Sequence, residues 1–382
     1  MPLPRPRVGY ADSNGDSMKK RRVGLLFGGR SVEHEVSVSS AISILGALDR
    51  SLYDISVIEI DHSGHWQLRD PEEFAELSGS KGREVSFAPV PGLATLFDSS
   101  GSSDHAVALD VIFPIIHGRG GEDGALQGLL ELKEIAYVGS GVLGSAIQMD
   151  KDVSKRLLAH AGLPVLPWLS YRVDQLAGGA VDRAVAATEE ELDYPVFVKP
   201  ANSGSSVGIN KARNADELIA SIREACVHDD KLIIELGLDA REIEIAVLGN
   251  QSPEASVPGE ILPSHEFYDY AAKYLDSETE LLIPAPLGEE ESGALREMAL
   301  RAFHVLEAAG MARVDFLVDR GTGEPYLNEL NSLPGFTGGS MYAQLWQATG
   351  LPYPKLLDRL IDLALERRSS HDRFQRTLPE RS

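Results

Sequence analysis

Arg313-Val-Asp315 and Glu329-Leu-Asn331 each set two polar side chains two positions apart, with apolar Val314, Phe316 and Leu330 between and after them. Alternate residues of a strand share a face, so each pair projects to one side while the apolar residues face the other. Two such strands side by side would bring two carboxylates, an amide and a guanidinium into one patch. Oxygen donors of this kind suit Mg²⁺, which takes few protein groups and completes its shell with water and nucleotide phosphate. The plainer alternative is a surface salt-bridge ladder, worth about 0–1 kcal/mol. The apolar residues in between argue instead for a patch backed by core.

A segment able to handle phosphate lies upstream. Val196-Phe-Val-Lys199 is an apolar strand ending in an ammonium that needs a partner, and Asn202 to Ser206 follow as a run of small residues. Backbone N–H groups and hydroxyls without bulk can fold over phosphoryl oxygens as a lid; an ordinary hairpin turn is the alternative. No G-x-x-x-x-G-K-[ST] motif occurs. Gly139, Gly141 and Gly144 match G-x-G-x-x-G, but the following strand offers no acidic residue before Asp174 and is interrupted by Pro164 and Pro167. A dinucleotide site needs that acid about 20 residues on, so the match reads as a turn before a short helix.

Four more features carry chemical options. Ser332 to Tyr342 is a Gly-rich loop feeding a helix, whose first N–H groups attract a carboxylate or oxyanion; Ser340 adds a hydroxyl, and a simple capped turn is the alternative. Phe267 to Tyr274, aromatic and polar within a long connection, is either a cover over a site or a packed Ω-loop. Glu33 falls in the first turn of the first helix, where it complements the helix dipole by about 0.3–1 kcal/mol or receives a ligand ammonium at a strand-end crevice. His117 follows another strand beside glycines, as a loop residue or a ligand contact.

These residues need elements to place them. Val23 to Phe27, Tyr53 to Ile60 and Asp110 to Ile116 read as buried strands, with a helix over Ser31 to Leu48, a helix over Leu126 to Leu132, and a local strand at His65 to Leu68. Strand–helix–strand alternation implies a parallel α/β sheet with ligands at the strand ends. Residues 78–105, rich in Gly, Ser and Pro, read as an irregular insertion. Further on, Lys151 to His160, Asp182 to Leu192 and Asp216 to Ala225 read as helices. Val165 to Tyr171, Pro195 to Lys199, Val207 to Lys211 and Leu232 to Glu235 read as strands. Arg241 to Leu248 alternates Ile243, Ile245 and Val247 against Glu242, Glu244 and Ala246, the mark of an antiparallel strand. A long helix over Gly288 to Ala309, a hairpin of Met311 to Val318 with Glu324 to Leu330, and helices near 338–349 and 354–366 complete the chain.

The chain has 382 residues with 43 % hydrophobic and 25 % charged residues, enough for two or three domains. A single cysteine, Cys226, excludes an internal disulfide and fits a reducing compartment. No apolar run approaches a membrane span, and the net charge of −22 argues against coating nucleic acid or anionic membrane. Residues 1–22 carry +4 and residues 367–382 carry +3, which leaves the body at −29. Both tails lack apolar periodicity and read as disordered extensions.

Taken in order, the motifs resemble the D-alanine–D-alanine ligases of the ATP-grasp superfamily over about residues 22–365. The matching pieces are Gly28-Gly-Arg-Ser-Val-Glu33-His-Glu-Val-Ser, His117-Gly-Arg-Gly-Gly-Glu-Asp-Gly, Gly139-Ser-Gly with Met149-Asp-Lys151, Val198-Lys199-Pro, Gly204-Ser205-Ser-Val-Gly, Phe267 to Tyr274, Arg313-Val-Asp315 and Asn328-Glu329-Leu-Asn331-Ser-Leu-Pro-Gly335-Phe-Thr. The resemblance implies an N-terminal parallel α/β domain (22–139), then an ATP-grasp fold of two subdomains with antiparallel sheets (140–238 and 239–366), between tails 1–21 and 367–382. It implies ATP-dependent joining of two D-alanines through an acyl phosphate. Lys151, Lys199, Ser206 and Lys273 would meet ATP phosphates, with the Ser205 loop closing over them. Glu235, Leu236 and Leu238 would hold adenine and Glu242 the ribose, although many relatives carry an aromatic residue near Gly237. Asp315, Glu329 and Asn331 would bind two Mg²⁺ (or Mn²⁺) ions. Glu33, with Ser205 and Tyr274, would hold the first D-alanine beside His117. Arg313 and Gly335 would stabilise the oxyanion, and Ser340 and Met341 would take the second carboxylate. A cytoplasmic homodimer is implied, with no nucleic-acid or membrane partner. A D-alanine–D-lactate ligase and a non-catalytic amino-acid-binding protein are the competing readings.

Overall fold

The computed structural model describes residues 19–76, 82–87, 94–98, 106–177, 179–204, 207–262 and 280–374. The first sheet is built on β1 (Arg21–Gly28), whose Leu25, Leu26 and Phe27 are all fully buried because both faces are covered. It pairs in parallel with β2 (Tyr53–Ile60) on one side, and its other neighbour, also parallel, is Val111–Ile115. Beyond β2 lie β3 (Trp66–Arg69), β4 (Arg83–Phe87), β5 (Thr95–Asp98) and β6 (Val107–Ala108), all antiparallel; Val111–Ile115 is β7, and β8 (Ala136–Tyr137) pairs with it in parallel. The sheet is therefore mixed, not purely parallel. Within 78–105, read from sequence as irregular, β4 and β5 extend the sheet and bury Val85 and Leu96; the strands are too short and interrupted for a period-2 signal to emerge.

Helix α1 (His34–Ala47) covers one face of this sheet, with α2 (Pro71–Ala75) beside it, and α3 (Ala125–Leu132) covers the other. The loops after β1 and β7 leave at neighbouring strand ends, on either side of the point where strand order reverses, which is where ligands gather in such sheets. Glu33 and His117 sit in those two loops.

Two short helices, α4 (Val142–Met149) and α5 (Lys151–His160), lead into the second sheet; Asp150 between them caps α5 by accepting from the Val153 N–H. That sheet is antiparallel, ordered β11 (Asn210–Ala212), β10 (Val196–Pro200), β12 (Lys231–Leu236), β9 (Trp168–Arg172), and packs on α6 (Ala180–Glu191) and α7 (Ala215–His228).

The third sheet carries β13 (Ala240–Gly249), β14 (Glu254–Ala255), β15 (Gly259–Leu262), β16 (Glu280–Leu282), β17 (Gly310–Asp319) and β18 (Pro325–Asn331). Strands β13 and β17 pair antiparallel along their whole length, Ala240 opposite Asp319 through Gly249 opposite Gly310. The alternation read in β13 holds: Ile243, Ile245 and Val247 join α8 (Glu289–Val305) in one core, while Ala246 and Leu248 face another with α9 (Met341–Ala348) and α10 (Tyr353–His371). This second core also contains Val23, Leu25 and Phe27 of β1, so α10 ties the first and third sheets into one apolar unit.

Helix α10 runs to His371, so residues 367–371 are not part of an extended tail. Arg367 donates to the carbonyls of Gly139 and Tyr137 and lies 4.2 Å from the Tyr137 ring centroid. A guanidinium stacked on an aromatic face reads as basic tail in a charge count, and here it caps a sheet edge instead. No helix among the described residues is long and apolar enough to cross a membrane.

Candidate active site

The hairpin β17–β18 places Arg313 opposite Asn331 and Asp315 opposite Glu329, with an irregularity between Asp315 and Phe316 that shifts the register beyond the polar patch. All four side chains share the face away from Val314 and Leu330, which are buried in core. Arg313 donates to both Asp315 oxygens, Nε at 2.8 Å and Nη2 at 2.7 Å, and its Nε also lies 3.0 Å from Glu244 on β13. Burial opposes the Arg313 charge, but Asp315 and Glu244 outweigh it and hold the guanidinium ionised. Asn331 Nδ2 donates to Asp315 at 2.8 Å, which turns its amide oxygen outward. Two carboxylates and an amide oxygen form a hard-donor set that fits a divalent cation of the Mg²⁺ type; a cation there would share Asp315 with Arg313.

Lysines converge on this patch from the second sheet. Lys151 begins α5, its N–H bonded to Ala201; its Nζ donates to the Ser203 carbonyl at 2.8 Å and lies 3.3 Å from Glu329. Lys199, next to last in β10, pairs with Glu235 on β12 and reaches Asn328 on β18 at 3.4 Å. Lys155 also pairs with Glu235, in a position 2 % exposed against 1 % for the carboxylate. Burial resists a charge on Glu235, and the two lysines overcome it, holding its carboxyl below the ordinary range. Leu236 ends β12, Leu238 lies in the connection and Glu242 is near the start of β13, where the second sheet hands over to the third. Gly237 donates to the Pro195 carbonyl at 2.8 Å, and a Cβ there would stand 2.5 Å from that oxygen. Close backbone approach thus suits the glycine at this position.

From the first sheet, Glu33 projects its carboxylate between two glycines: a Cβ on Gly118 would come within 2.6 Å of Glu33 Oε2, and one on Gly204 within 2.9 Å. Arg119 bridges the same two loops, contacting the Asn202 carbonyl at 3.3 Å and Asp229 at 2.9 Å. His117 is 3 % exposed; its Nδ1–H donates to the Leu333 carbonyl at 2.9 Å, and its Nε2 has no hydrogen-bond partner among the described residues. Burial lowers its pKa against the pull of Glu33, so the ring is neutral and Nε2 carries the lone pair. Glu122 receives the N–H groups of Gly118 at 2.7 Å and Leu333 at 3.1 Å, and desolvation, then the Glu33 charge, push its carboxyl up to about 8.

Glu33, His117, Glu122, Lys151, Gly204, Arg313, Glu329, Asn331 and Gly335 line one cavity of about 90 Å³. Ser340 stands beyond Gly335 as the residue before α9, its Oγ accepting from the Thr337 N–H at 2.9 Å. Met341 opens α9 with its side chain 7 % exposed and packed in core, which leaves its backbone at the helix start. Ser205, Ser206, Lys273 and Tyr274 lie outside the described residues.

Comparison with known proteins decides the kinship. The family model described as D-ala D-ala ligase N-terminus matches residues 22–140, and that described as D-ala D-ala ligase C-terminus matches 157–362. The chain belongs to the D-alanine–D-alanine ligase family. The D-alanine–D-alanine ligase of Heliobacterium modesticaldum is 48 % identical over 352 residues, covering 92 % of this chain and 96 % of that one. The structure of the D-alanine–D-alanine ligase from Coxiella burnetii superposes with a TM-score of 0.81 at 37 % identity, over 93 % of this chain and 96 % of that one. The VanG D-Ala:D-Ser ligase from Enterococcus faecalis gives 0.81 at 32 % identity, over 91 % and 100 %.

For a D-alanine–D-alanine ligase family member, the residues missed in the sequence are informative. Lys155, Glu122 and Glu244 act as buried partners of Glu235, of the Leu333 loop and of Arg313. Lys155 left one trace, four residues after Lys151 and therefore on the same helix face. Glu122 meets Leu333, and Glu244 meets Arg313, only across the fold.

Proposed function

We propose that the protein joins two D-alanines into D-alanyl-D-alanine, converting ATP to ADP and phosphate. The observation that carries this reading is the cavity in which Glu33, in the loop after β1, meets Lys151, Arg313, Glu329 and Asn331, with Asp315 bonded behind Arg313 and Asn331. An amino acid entering it has a carboxylate for its ammonium at one end and cationic, metal-binding groups for its carboxylate at the other.

Glu33 orients the first D-alanine through its ammonium, and the neutral His117 presents Nε2 as an acceptor beside it. The substrate carboxylate attacks the γ-phosphate to give an acyl phosphate and ADP. Lys151 and Lys199 hold the phosphates, with Ser205, Ser206 and Lys273 as further contacts; in such reactions positioning and charge do most of the work. Asp315, Glu329 and Asn331 are the residues that would hold two Mg²⁺ or Mn²⁺ ions. Divalent cations bound there supply positive charge against phosphate oxygens. The second D-alanine's amine then attacks the acyl carbonyl. Arg313 and the Gly335 N–H stabilise the tetrahedral oxyanion, which collapses by expelling phosphate. Ser340 and the Met341 N–H take the second carboxylate. Tyr274 and Ser205 would join Glu33 around the first D-alanine. Glu235, Leu236 and Leu238 hold adenine, with Glu242 at the ribose. A homodimer and a cytoplasmic location belong to the same reading.

The test is phosphate release and dipeptide formation with each component omitted in turn. Product that appears only with ATP, a divalent cation and D-alanine together supports the ligase. ATP turnover without dipeptide refutes it, and offering D-serine or D-lactate as second substrate ranks the acceptors.

A further inference from the structure

Outside the cavity, His34, Glu35 and His62 each contribute a ligand atom, and the three atoms lie within 4.8 Å of one another. His34 and Glu35 open α1, and His62 sits in the turn after β2. None of the three has a part in the proposed reaction. The His34 and His62 rings stack with centroids 3.8 Å apart and planes at 26°, and His62 Nε2 lies 3.9 Å from Glu35 Oε1.

From this geometry we infer a binding site for a late first-row divalent cation, Zn²⁺ being the best match, held by His34, Glu35 and His62. Two imidazoles with one carboxylate favour zinc over Mg²⁺, and three protein ligands with water in the fourth position is a common zinc arrangement. The buried member is already set for ligation. His34 is 5 % exposed and its Nδ1 lies 2.8 Å from the Gly29 carbonyl. With Nδ1–H donated to that carbonyl, Nε2 carries the lone pair; an acceptor on the far ring nitrogen fixes ring orientation in metal sites. The Gly29 carbonyl is itself placed by the Gly29 N–H bond to Ile60 at 2.7 Å.

The other two ligands are 69 % and 79 % exposed, so His62, by turning off the His34 ring, and Glu35 can swing the remaining distance without disturbing the core. The His62 turn is nonetheless organised. Asp61 accepts from the N–H groups of Ser63 at 2.8 Å and His65 at 2.9 Å, which holds His62 against the start of α1. The positive end of the α1 dipole opposes a cation there, and the Glu35 carboxylate supplies the offsetting charge. A bound ion would tie the β2 turn to the helix start that carries Glu33.

The experiment titrates Zn²⁺ into the full-length protein by calorimetry, with excess Mg²⁺ present to occupy the magnesium-type site. Wild type is compared with His62→Ala and Glu35→Gln, and circular dichroism and ATP-dependent dipeptide synthesis serve as folding controls. His62 is exposed and outside the catalytic machinery, so His62→Ala folds and turns over as wild type does. The expected result is that His62→Ala loses one equivalent of zinc or binds it about tenfold or more weakly, in the range seen when metal sites lose a supporting group, and that Glu35→Gln weakens it in the same direction. Equal zinc stoichiometry and affinity in wild type and His62→Ala overturns the site, as does a wild type that takes up no zinc. Neither result bears on the ligase assignment, which the synthesis assay reads separately.

Discussion

Lys155 and Glu235 form an ion pair closed off from solvent, with Trp168 beside the ammonium at 5.7 Å and Lys199 on the other oxygen of the same carboxylate. One carboxylate thus fixes two lysines, Lys155 buried and Lys199 reaching Asn328 on β18. Removing one partner of a buried pair costs about 3–5 kcal/mol, because the other charge is stranded. Lys155→Met should fall at the lower end, since Lys199 still neutralises Glu235. A double-mutant cycle with Glu235→Gln, read by urea unfolding, should show coupling of about 0.5–3 kcal/mol. Additive effects would mean that the pair is not a unit. Because Glu235 sits where adenine is expected, Lys155→Met should also raise the KM for ATP more than that for D-alanine.

Glu329 faces Lys151 at 3.3 Å and is about a quarter exposed, in contrast to Asp315 within its guanidinium fork. Glu329→Gln should leave the fold within about 1 kcal/mol of wild type, as expected for a partly solvated pair. Turnover should fall about a hundredfold or more, since a group that helps hold a catalytic cation supplies several kcal/mol in the transition state. Thermal melts and phosphate release across a range of Mg²⁺ separate the two effects. Retained activity at low Mg²⁺ would remove Glu329 from the cation site.

Gly118 and Gly204 offer a steric test of Glu33. Gly118 has φ of +75° and would place a Cβ 2.6 Å from Glu33 Oε2, whereas Gly204 would place one at 2.9 Å and has no positive φ. Gly118→Ala should therefore cost about 1–2 kcal/mol of stability from the left-handed backbone and displace the carboxylate as well. Gly204→Ala should displace the carboxylate alone. Both should raise the KM for D-alanine, and only Gly118→Ala should shift the unfolding midpoint. An unchanged KM in both would place the first substrate's ammonium elsewhere.

What could be read from the sequence follows from the range of the interactions. The β17–β18 hairpin was legible because its chemistry has a two-residue period and its partners lie close in the chain; Arg313, Asp315, Glu329 and Asn331 do meet on one face. Glu33 and His117 were legible as strand-end residues, since a parallel sheet sends such loops to one crevice. Lys155 gave little signal, because a buried lysine is recognised by its partner, and Glu235 lies eighty residues away. The β4 and β5 strands were hidden among turn residues. Arg367 was assigned to a tail by its charge, yet its aromatic stack depends on Tyr137, a residue of the opposite half of the chain.

Glu122 gives the protein a pH dependence of its own. Desolvation and the neighbouring Glu33 charge raise its carboxyl from 4.5 to about 8 in the folded state. Between those values the folded protein keeps a proton that the unfolded chain has released. The folded state binds more protons there, so stability falls as pH rises through that window and is unaffected by this group below it. The slope is at most about 1.4 kcal/mol per pH unit. Glu122→Gln keeps a neutral group of the same shape. It also sets an NH₂ where one carboxyl oxygen accepts a backbone N–H, so it should start below wild type near pH 5, lose the slope, and close the gap toward pH 8. Urea unfolding of the ligand-free protein at several pH values checks this, and parallel curves for the two proteins would show that Glu122 is ionised throughout.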